Sequence, residues 1–142
     1  MTMTIDEVRA WLKRGRKTDA DYEIKALEMS VNRLRDFERL AREIGAARAG
    51  GVEEYAKATQ ERIDELKAAS AEVQRVISQV SDGTQRRILE YRYIHGLTNE
   101  DIADEMSYCA GSVNRYHRRA LQSVCDILER DGNPASHIPD GE

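Results

Sequence analysis

The sequence has few cysteines, prolines and aromatic residues, and it has no long apolar run. Its two cysteines, Cys109 and Cys125, form no CxxC pair, so the sequence suggests neither a disulfide framework nor a zinc site. Both prolines fall at the C-terminal end, and aromatic residues make up only 6%. Such a chain can be nearly all helix. No apolar run approaches the roughly 20 residues that span a bilayer, and no signal peptide is visible, so we expect a soluble, cytoplasmic protein without a membrane segment.

Charge is abundant, but it is acidic overall. Charged residues make up 34% of the chain, the net charge is −4 and the isoelectric point is about 5.5. Any affinity for nucleic acid must therefore be concentrated on one surface. The three histidines, His95, His117 and His137, have no second metal ligand at helical spacing other than ordinary charged residues, and the common hydrolase, phosphate-loop and dinucleotide motifs are absent. We predict no enzymatic activity, no catalytic residues, no metal and no cofactor.

The N-terminal half shows helical patterns. Thr4 can cap a short helix whose Trp11 would dock onto longer helices. The basic segment 13–17 that follows favours a helix C-terminus, closed by Gly15, over a phosphate contact. Two long helices are then predicted, from about 18 to 44 and from about 52 to 80, joined by a glycine-containing turn.

The second long helix carries apolar and small residues at alternating steps of four and three, which is the heptad seam of a coiled coil. The seam comprises Val52, Ala56, Thr59, Ile63, Leu66, Ser70, Val73, Ile77 and Val80. It predicts an antiparallel hairpin with the first long helix. The facing stripe on that helix comprises Ile24, Leu27, Val31, Leu34 and Ala41, and it is widened by Phe37, Leu40 and Ile44. Thr59 and Ser70 weaken the seam, so a second chain could complete its burial. This predicts a homodimer through the hairpin region.

Shorter helices follow a break at residues 81–84. Asp82 can cap a helix that runs to about residue 94, and Thr98 with Asp101 can form a capping box at the start of a helix over Asn99–Met106. After a short break at 107–109, a last helix is predicted from Ala110 to about residue 130. Two short helices in this order, with the small Ala103 between them, are typical of a helix-turn-helix.

The last helix has an apolar face and a polar face. Val113, Tyr116, Ala120 and Val124 share the first, and no acidic residue occurs between residues 110 and 124. The second helix of a helix-turn-helix enters the major groove with its N-terminal end leading, where Arg and Asn can read base edges. We predict that DNA is contacted by Ala110, Gly111, Ser112, Asn114, Arg115, His117, Arg118 and Arg119. Ser112, Asn114 and Arg115 would lie deepest in the groove. For His117, a position beside the apolar core face is favoured over a contact with DNA.

The motif Leu97-Thr98-x-Glu100-x-Ile102-Ala103, followed by Val113-x-Arg115-Tyr116-x-x-x-Ala120-Leu121, resembles the helix-turn-helix of region four in bacterial sigma factors, which reads a promoter element. Residues 88–96 resemble the upstream helix of that region. The whole chain is similar to small phage and prophage regulators, the RinA/ArpU-type late-gene activators, also through residues 8–14 and 106–108. That resemblance implies phage origin and late-gene activation, with RNA polymerase as a further candidate partner. Cys109 stands where the family usually has Ser, and it is a weaker N-cap.

The combined prediction is an all-α protein that binds double-stranded DNA and regulates transcription. A long N-terminal helical hairpin, residues 1–80, would precede a helix-turn-helix domain, residues 81–130, and a disordered tail, residues 131–142. Two alternatives stay open. One is a small-terminase-like protein that packages phage DNA, and the other is a sigma mimic that binds RNA polymerase without touching DNA.

Overall fold

The structure, a computed structural model, describes residues 2–45 and 51–132, so the centre of the predicted glycine turn and most of the predicted tail lie outside the described residues. Within these two ranges the chain forms helices and no strand, which confirms the all-α class. The helices are α1 (Ile5–Arg14), α2 (Lys17–Glu43), α3 (Val52–Ser78), α4 (Gly83–Tyr93), α5 (Asn99–Met106) and α6 (Ala110–Arg130).

Side-chain caps determine where the short helices begin. The Thr4 hydroxyl accepts a hydrogen bond from the amide of Glu7 at 3.1 Å, and the Glu7 carboxylate accepts one from the amide of Thr4 at 2.9 Å. The Asp82 carboxylate likewise accepts from the amide of Gln85 at 2.9 Å. Each cap satisfies amides that have no partner within the helix, so α1 and α4 start at the predicted places.

The described chain divides into two compact units. One comprises the described residues among 1–18 and 69–142, and the other comprises the described residues among 19–68. The first unit is larger than the predicted domain of residues 81–130, because α1 and the last part of α3 also pack there. The apolar faces of α1 and α3 pack against α4 and α6 and form one buried cluster with them. Members of this cluster with little or no exposure include Val8, Trp11, Leu12, Val73, Val76, Ile77, Leu89, Tyr93, Ala120, Leu121, Val124 and Leu128.

Gly15 ends α1, as predicted, but for a different physical reason. Its φ is −101°, which any residue can adopt, so no left-handed conformation requires glycine here. A Cβ on Gly15 would instead lie 2.6 Å from the carbonyl oxygen of Ala69 and would collide with a methyl group of Val73. Gly15 therefore allows the end of α1 to approach α3 closely, which buries Trp11 to 6% exposure, as the predicted packing role requires.

The second unit contains the antiparallel helical hairpin. Arg62 donates to the carboxylate of Glu23 at 3.3 Å, and the hydroxyls of Ser30 and Tyr55 are hydrogen-bonded at 2.9 Å. A later position on α2 thus pairs with an earlier position on α3, so the two helices run in opposite directions. This confirms the predicted antiparallel pairing. The seam of α3 is buried from Thr59 onward.

One part of the hairpin prediction is wrong. Phe37, Leu40 and Ile44 do not widen the α3-facing stripe, because they remain 70%, 53% and 78% exposed. They lie on a different side of α2 from the half-buried Ile24 and Val31.

Candidate nucleic-acid interface

Helices α5 and α6 are joined by a tight turn. At the start of α5, the Thr98 hydroxyl accepts from the amide of Asp101 at 3.2 Å, and the Asp101 carboxylate accepts from the amide of Thr98 at 3.4 Å, so the predicted capping box is present. At its end, Ser107 adopts left-handed backbone angles, with φ 57° and ψ 40°. The amide of Tyr108 then donates to the carbonyl of Ala103 at 2.9 Å. This bond satisfies a terminal carbonyl of α5 and turns the chain towards α6.

A small apolar core holds α4, α5 and α6 together. Ile88, Ile102 and Val113 are completely buried, and Ala103 is 8% exposed. Because Ala103 has a single methyl group, α6 can pack closely against α5 at this point, as predicted. The core is covered by Tyr91, Leu97, Met106, Tyr108 and Tyr116, which are half-buried. The three helices therefore form the predicted helix-turn-helix module.

The predicted polar face of α6 is turned to solvent. Asn114, Arg115, Arg118 and Arg119 are exposed, as are Ala110 and Gly111, while Ser112 is half-buried. Across the two described ranges, no carboxylate forms an ion pair with any of these three arginines. Their charges are therefore available to an external anion such as a phosphate backbone.

The first turn of α6 is organised around one hydroxyl group. Arg115 donates to the Ser112 hydroxyl at 3.0 Å, and the Cys109 sulfur lies 3.3 Å from the same oxygen. The hydrogen bond with Ser112 lowers the pKa of the Cys109 thiol. Cys109 makes no side-chain hydrogen bond that caps α6, which agrees with its prediction as a weak N-cap. Arg115 is thus held along the first turn, close to the end that would lead into a groove.

A hydrogen bond between α5 and α6 was not predictable from the pattern. Asn99, at the start of α5, donates from Nδ2 to Oδ1 of Asn114 at 2.8 Å. Sequence reasoning could identify Asn114 as exposed, but its partner lies 15 positions away and has no periodic relation to it. A carbonyl oxygen can accept two hydrogen bonds, so Asn114 retains one acceptor position and both donors. Asn99 therefore orients a predicted base-reading side chain.

Aromatic rings support the next turn of the same face. Tyr108 and Tyr116 stack with ring centroids 5.7 Å apart and planes 26° apart. The guanidinium of Arg119 lies 5.6 Å from the centroid of the Tyr116 ring. This cation–π contact positions Arg119 against the protein surface and keeps its charge on the acid-free face.

His117 lies in the core and not on the exposed face. It is 9% exposed, and its Nε2 lies 3.0 Å from the hydroxyl of Tyr93, which is itself 1% exposed. Burial lowers the pKa of His117 to about 3, with smaller contributions from the positive charges of Arg92 and Arg9. A neutral, covered imidazole cannot contact DNA, so the structure excludes His117 from the predicted contact set. The Tyr93 hydroxyl is buried with it, and the hydrogen bond gives each of the two groups a partner.

The described residues contain neither a metal-binding cluster nor a membrane-spanning helix. In residues 2–45 and 51–132, no three His, Cys, Asp or Glu side chains are grouped so that they could hold a metal ion. Over the same residues, no helix has the length and apolar character required to span a membrane.

Residues 70–124 match the family model described as Sigma-70, region 4. The match begins in the last part of α3 and ends within α6, so it includes α4, α5 and residues 110–124 of α6. No curated protein and no solved structure matches the chain significantly. The match supports a sigma-factor-like helix-turn-helix of the kind that binds DNA in transcription regulation, and it agrees with the geometry of α5 and α6.

Proposed function

We propose that the protein is a sequence-specific transcription regulator that reads a promoter or operator in the major groove with α6. The observation that carries this proposal is the exposed, acid-free face at the N-terminal end of α6, mounted on a helix-turn-helix core. Arg115 and Asn114 have the side chains that pair bidentately with guanine and adenine. Arg118 and Arg119 follow one turn later, where a phosphate backbone would pass.

The N-terminus of α6 supports this orientation. The amides of a first helical turn attract phosphate, and α6 has no side-chain cap that competes for them. A Cβ on Gly111 would have its nearest neighbour at 3.9 Å, in the side chain of Arg115, so packing does not require glycine there. An absent side chain at an exposed position instead allows a DNA backbone to approach closely.

The finer parts of the proposal follow from the family resemblance. We propose that the regulator is a phage or prophage late-gene activator that works in the cytoplasm and also contacts RNA polymerase. We also propose a homodimer, whose two recognition helices would read half-sites separated by about 34–36 Å or a multiple of that distance.

Genomic selection tests the DNA-reading proposal. Purified protein is mixed with sheared DNA of its own phage or host, and the retained fragments are sequenced at two salt concentrations. We expect a sharp peak upstream of a gene block. Arg115→Ala should lose about 1–3 kcal/mol of discrimination between that site and others, the usual value of one bidentate base contact. Arg62→Ala removes an exposed arginine from α3 and should retain the peak.

Arg119→Ala separates a phosphate contact from base reading. The variant should weaken binding to all sequences similarly and reduce the slope of log K against log salt by about one. A change confined to one sequence would contradict its assignment to a phosphate.

Other outcomes of the selection would replace the proposal. Enrichment near packaging genes by a large ring, seen by light scattering, would indicate a small-terminase-like protein. Absence of enrichment at either salt, with transcription unchanged in Arg115→Ala, would indicate a sigma mimic that binds the polymerase alone.

A further inference from the structure

An apolar stripe runs along α2 on a side that α3 does not cover. Tyr22 is 80% exposed, Met29 50%, Phe37 70%, Leu40 53% and Ile44 78%. These are the large apolar side chains that soluble monomers rarely expose together on one face. All of them belong to the unit of residues 19–68.

The spacing of the stripe is regular. The face comprises Tyr22, Ala26, Met29, Arg33, Phe37, Leu40 and Ile44, so positions 22, 33 and 44 are eleven residues apart, as are 26 and 37, and 29 and 40. Eleven residues are close to three helical turns, so an 11-residue repeat keeps its side chains on one nearly straight line. At about 100° per residue, this line lies about a third of a turn away from the half-buried stripe of Ile24, Leu27 and Val31. The helix therefore has two apolar faces, and the described residues cover only one of them.

The size of the exposed stripe is that of an interface. With about 200 Å² for each large side chain, the exposed fractions of its five large residues amount to roughly 650 Å². A standard protein interface buries about 800 Å² on each partner. If the same stripe of a second copy packed against this one, the stripe and the charged residues on its edge would together bury about that area on each partner.

The charges along the open edge of the stripe favour a second copy in the antiparallel direction. The other edge lies next to α3, as the bond between Ser30 and Tyr55 shows. Lys25, Arg33, Asp36 and Glu43 are exposed on or beside the open side. In an antiparallel pair, each edge meets the same edge of the other copy with its direction reversed.

A two-fold axis near residue 34 brings opposite charges together twice. It places Lys25 opposite Glu43 of the second copy and Arg33 opposite Asp36 of the second copy, and the same axis pairs Tyr22 with Ile44. Within the described part of the chain, Lys25 and Arg33 form no ion pair. Both are thus available to the carboxylates that the axis would bring to them.

We infer that the outer face of α2 is the surface through which two copies of this chain associate, antiparallel and related by a two-fold axis near residue 34. The sequence pattern predicted a homodimer through the hairpin region, in which a second chain could complete the burial of the α3 seam. That seam is buried within the chain from Thr59 onward, so the exposed stripe on α2 takes over this role. The inference does not depend on DNA binding, because it concerns residues 19–68 and is tested with protein alone.

The test measures the mass of the full-length protein by sedimentation equilibrium over a dilution series, without DNA. The wild type should be a dimer that dissociates on dilution. Phe37→Glu should be a monomer with unchanged helical circular dichroism, because an exposed side chain contributes little to the fold of the single chain. Ala58→Glu introduces the same charge at an exposed position of α3 and should remain a dimer.

Charge reversal tests the register. Lys25→Glu and Glu43→Lys should each weaken the homodimer about tenfold or more, since each places two like-charged pairs in the interface. When the two variants are mixed, both contacts become attractive, and a heterodimer should form with about the wild-type dissociation constant. A wild-type protein that stays monomeric at its highest soluble concentration would overturn the inference, as would a dimer that persists in Phe37→Glu. Variants that fail to rescue each other would overturn the antiparallel register.

Discussion

His117 is neutral at physiological pH because the core around it opposes a positive charge. Its side chain is 9% exposed, its ring stacks against Tyr93 with centroids 5.9 Å apart, and Arg92 and Arg9 add repulsion. The same burial raises the pKa of the Tyr93 hydroxyl. Since neither group is charged near neutrality, the hydrogen bond between the Tyr93 hydroxyl and His117 Nε2 joins two neutral partners.

This burial makes folding stability depend on pH. The pKa of His117 falls from 6.5 to about 3 on folding. Below pH 6.5 the unfolded chain therefore binds a proton that the folded chain does not, and the free energy of unfolding decreases as the pH falls towards 3. At 1.36 kcal/mol per pH unit, this loss is about 2 kcal/mol at pH 5. Urea denaturation of wild type and His117→Gln at pH 7 and pH 5 measures it.

The comparison between variants isolates the histidine. Carboxylates titrate equally in both proteins, so their contribution cancels in the difference. His117→Gln should be about 2 kcal/mol less sensitive to this pH change than the wild type. His95→Gln removes an exposed histidine and should keep the wild-type dependence. Equal pH dependence in wild type and His117→Gln would contradict a neutral, buried His117.

At the scale of single residues, helical periodicity predicted exposure better than it predicted partners. The exposure of Asn114 and Arg115 followed from their spacing relative to Val113. The bond from Asn99 to Asn114 did not, because it depends on how two helices cross. His117 lies at the edge of the polar arc, where a small rotation of α6 decides between core and solvent. The helices packed against α6 determine that rotation.

Among the elements, α1 depends on a close approach that one glycine allows. Gly15→Ala would bring a methyl group against the carbonyl of Ala69 and the side chain of Val73. We expect a loss of about 1–3 kcal/mol in the free energy of unfolding, the usual cost of an overpacked contact. Chemical denaturation followed by the fluorescence of Trp11 would measure it.

Gly83→Ala is the matched control for this element. Gly83 begins α4, and a Cβ there would have its nearest neighbour at 3.9 Å, in the flexible side chain of Arg86. The same added methyl group should therefore be neutral or stabilise the protein by up to about 1 kcal/mol, because alanine loses less backbone entropy in a helix. An equal loss of stability in both variants would show that the α1–α3 contact is not the cause.

Helix boundaries were predictable because the chain marks them with local chemistry. Thr4, Asp82 and Thr98 each satisfy free amides, and Gly96, whose φ of 72° suits glycine, follows α4. The prediction from sequence assigned both apolar faces of α2 to one stripe, because hydrophobic spacing alone does not distinguish them. Only the structure shows which of them α3 covers.

At the scale of the whole molecule, the two ends of the described chain meet in one unit. The amide of Met3 donates to the carboxylate of Glu129 at 2.8 Å, and Cys125 lies beside the carbonyl of Met3. A contact across more than 120 positions leaves no periodic trace in the sequence, so the place of α1 against α6 could not be predicted. The predicted N-terminal region consequently contributes its first helix to the unit that presents the recognition helix.

The arrangement of exposed residues predicts that dimerisation and base reading can be separated. Phe37 belongs to the unit of residues 19–68, whereas α6 belongs to the other unit. Phe37→Glu should therefore bind DNA that carries one half-site with unchanged affinity. On DNA with two half-sites, linked recognition helices gain avidity, which is typically a factor of 10²–10⁴. The variant should lose about a hundredfold there, measured by fluorescence anisotropy with both duplexes, and Ala58→Glu should lose nothing on either. Equal loss on both duplexes would show that Phe37→Glu disturbs the unit that contains α6. Unchanged binding to both duplexes would show that DNA reading and dimerisation through α2 do not act together.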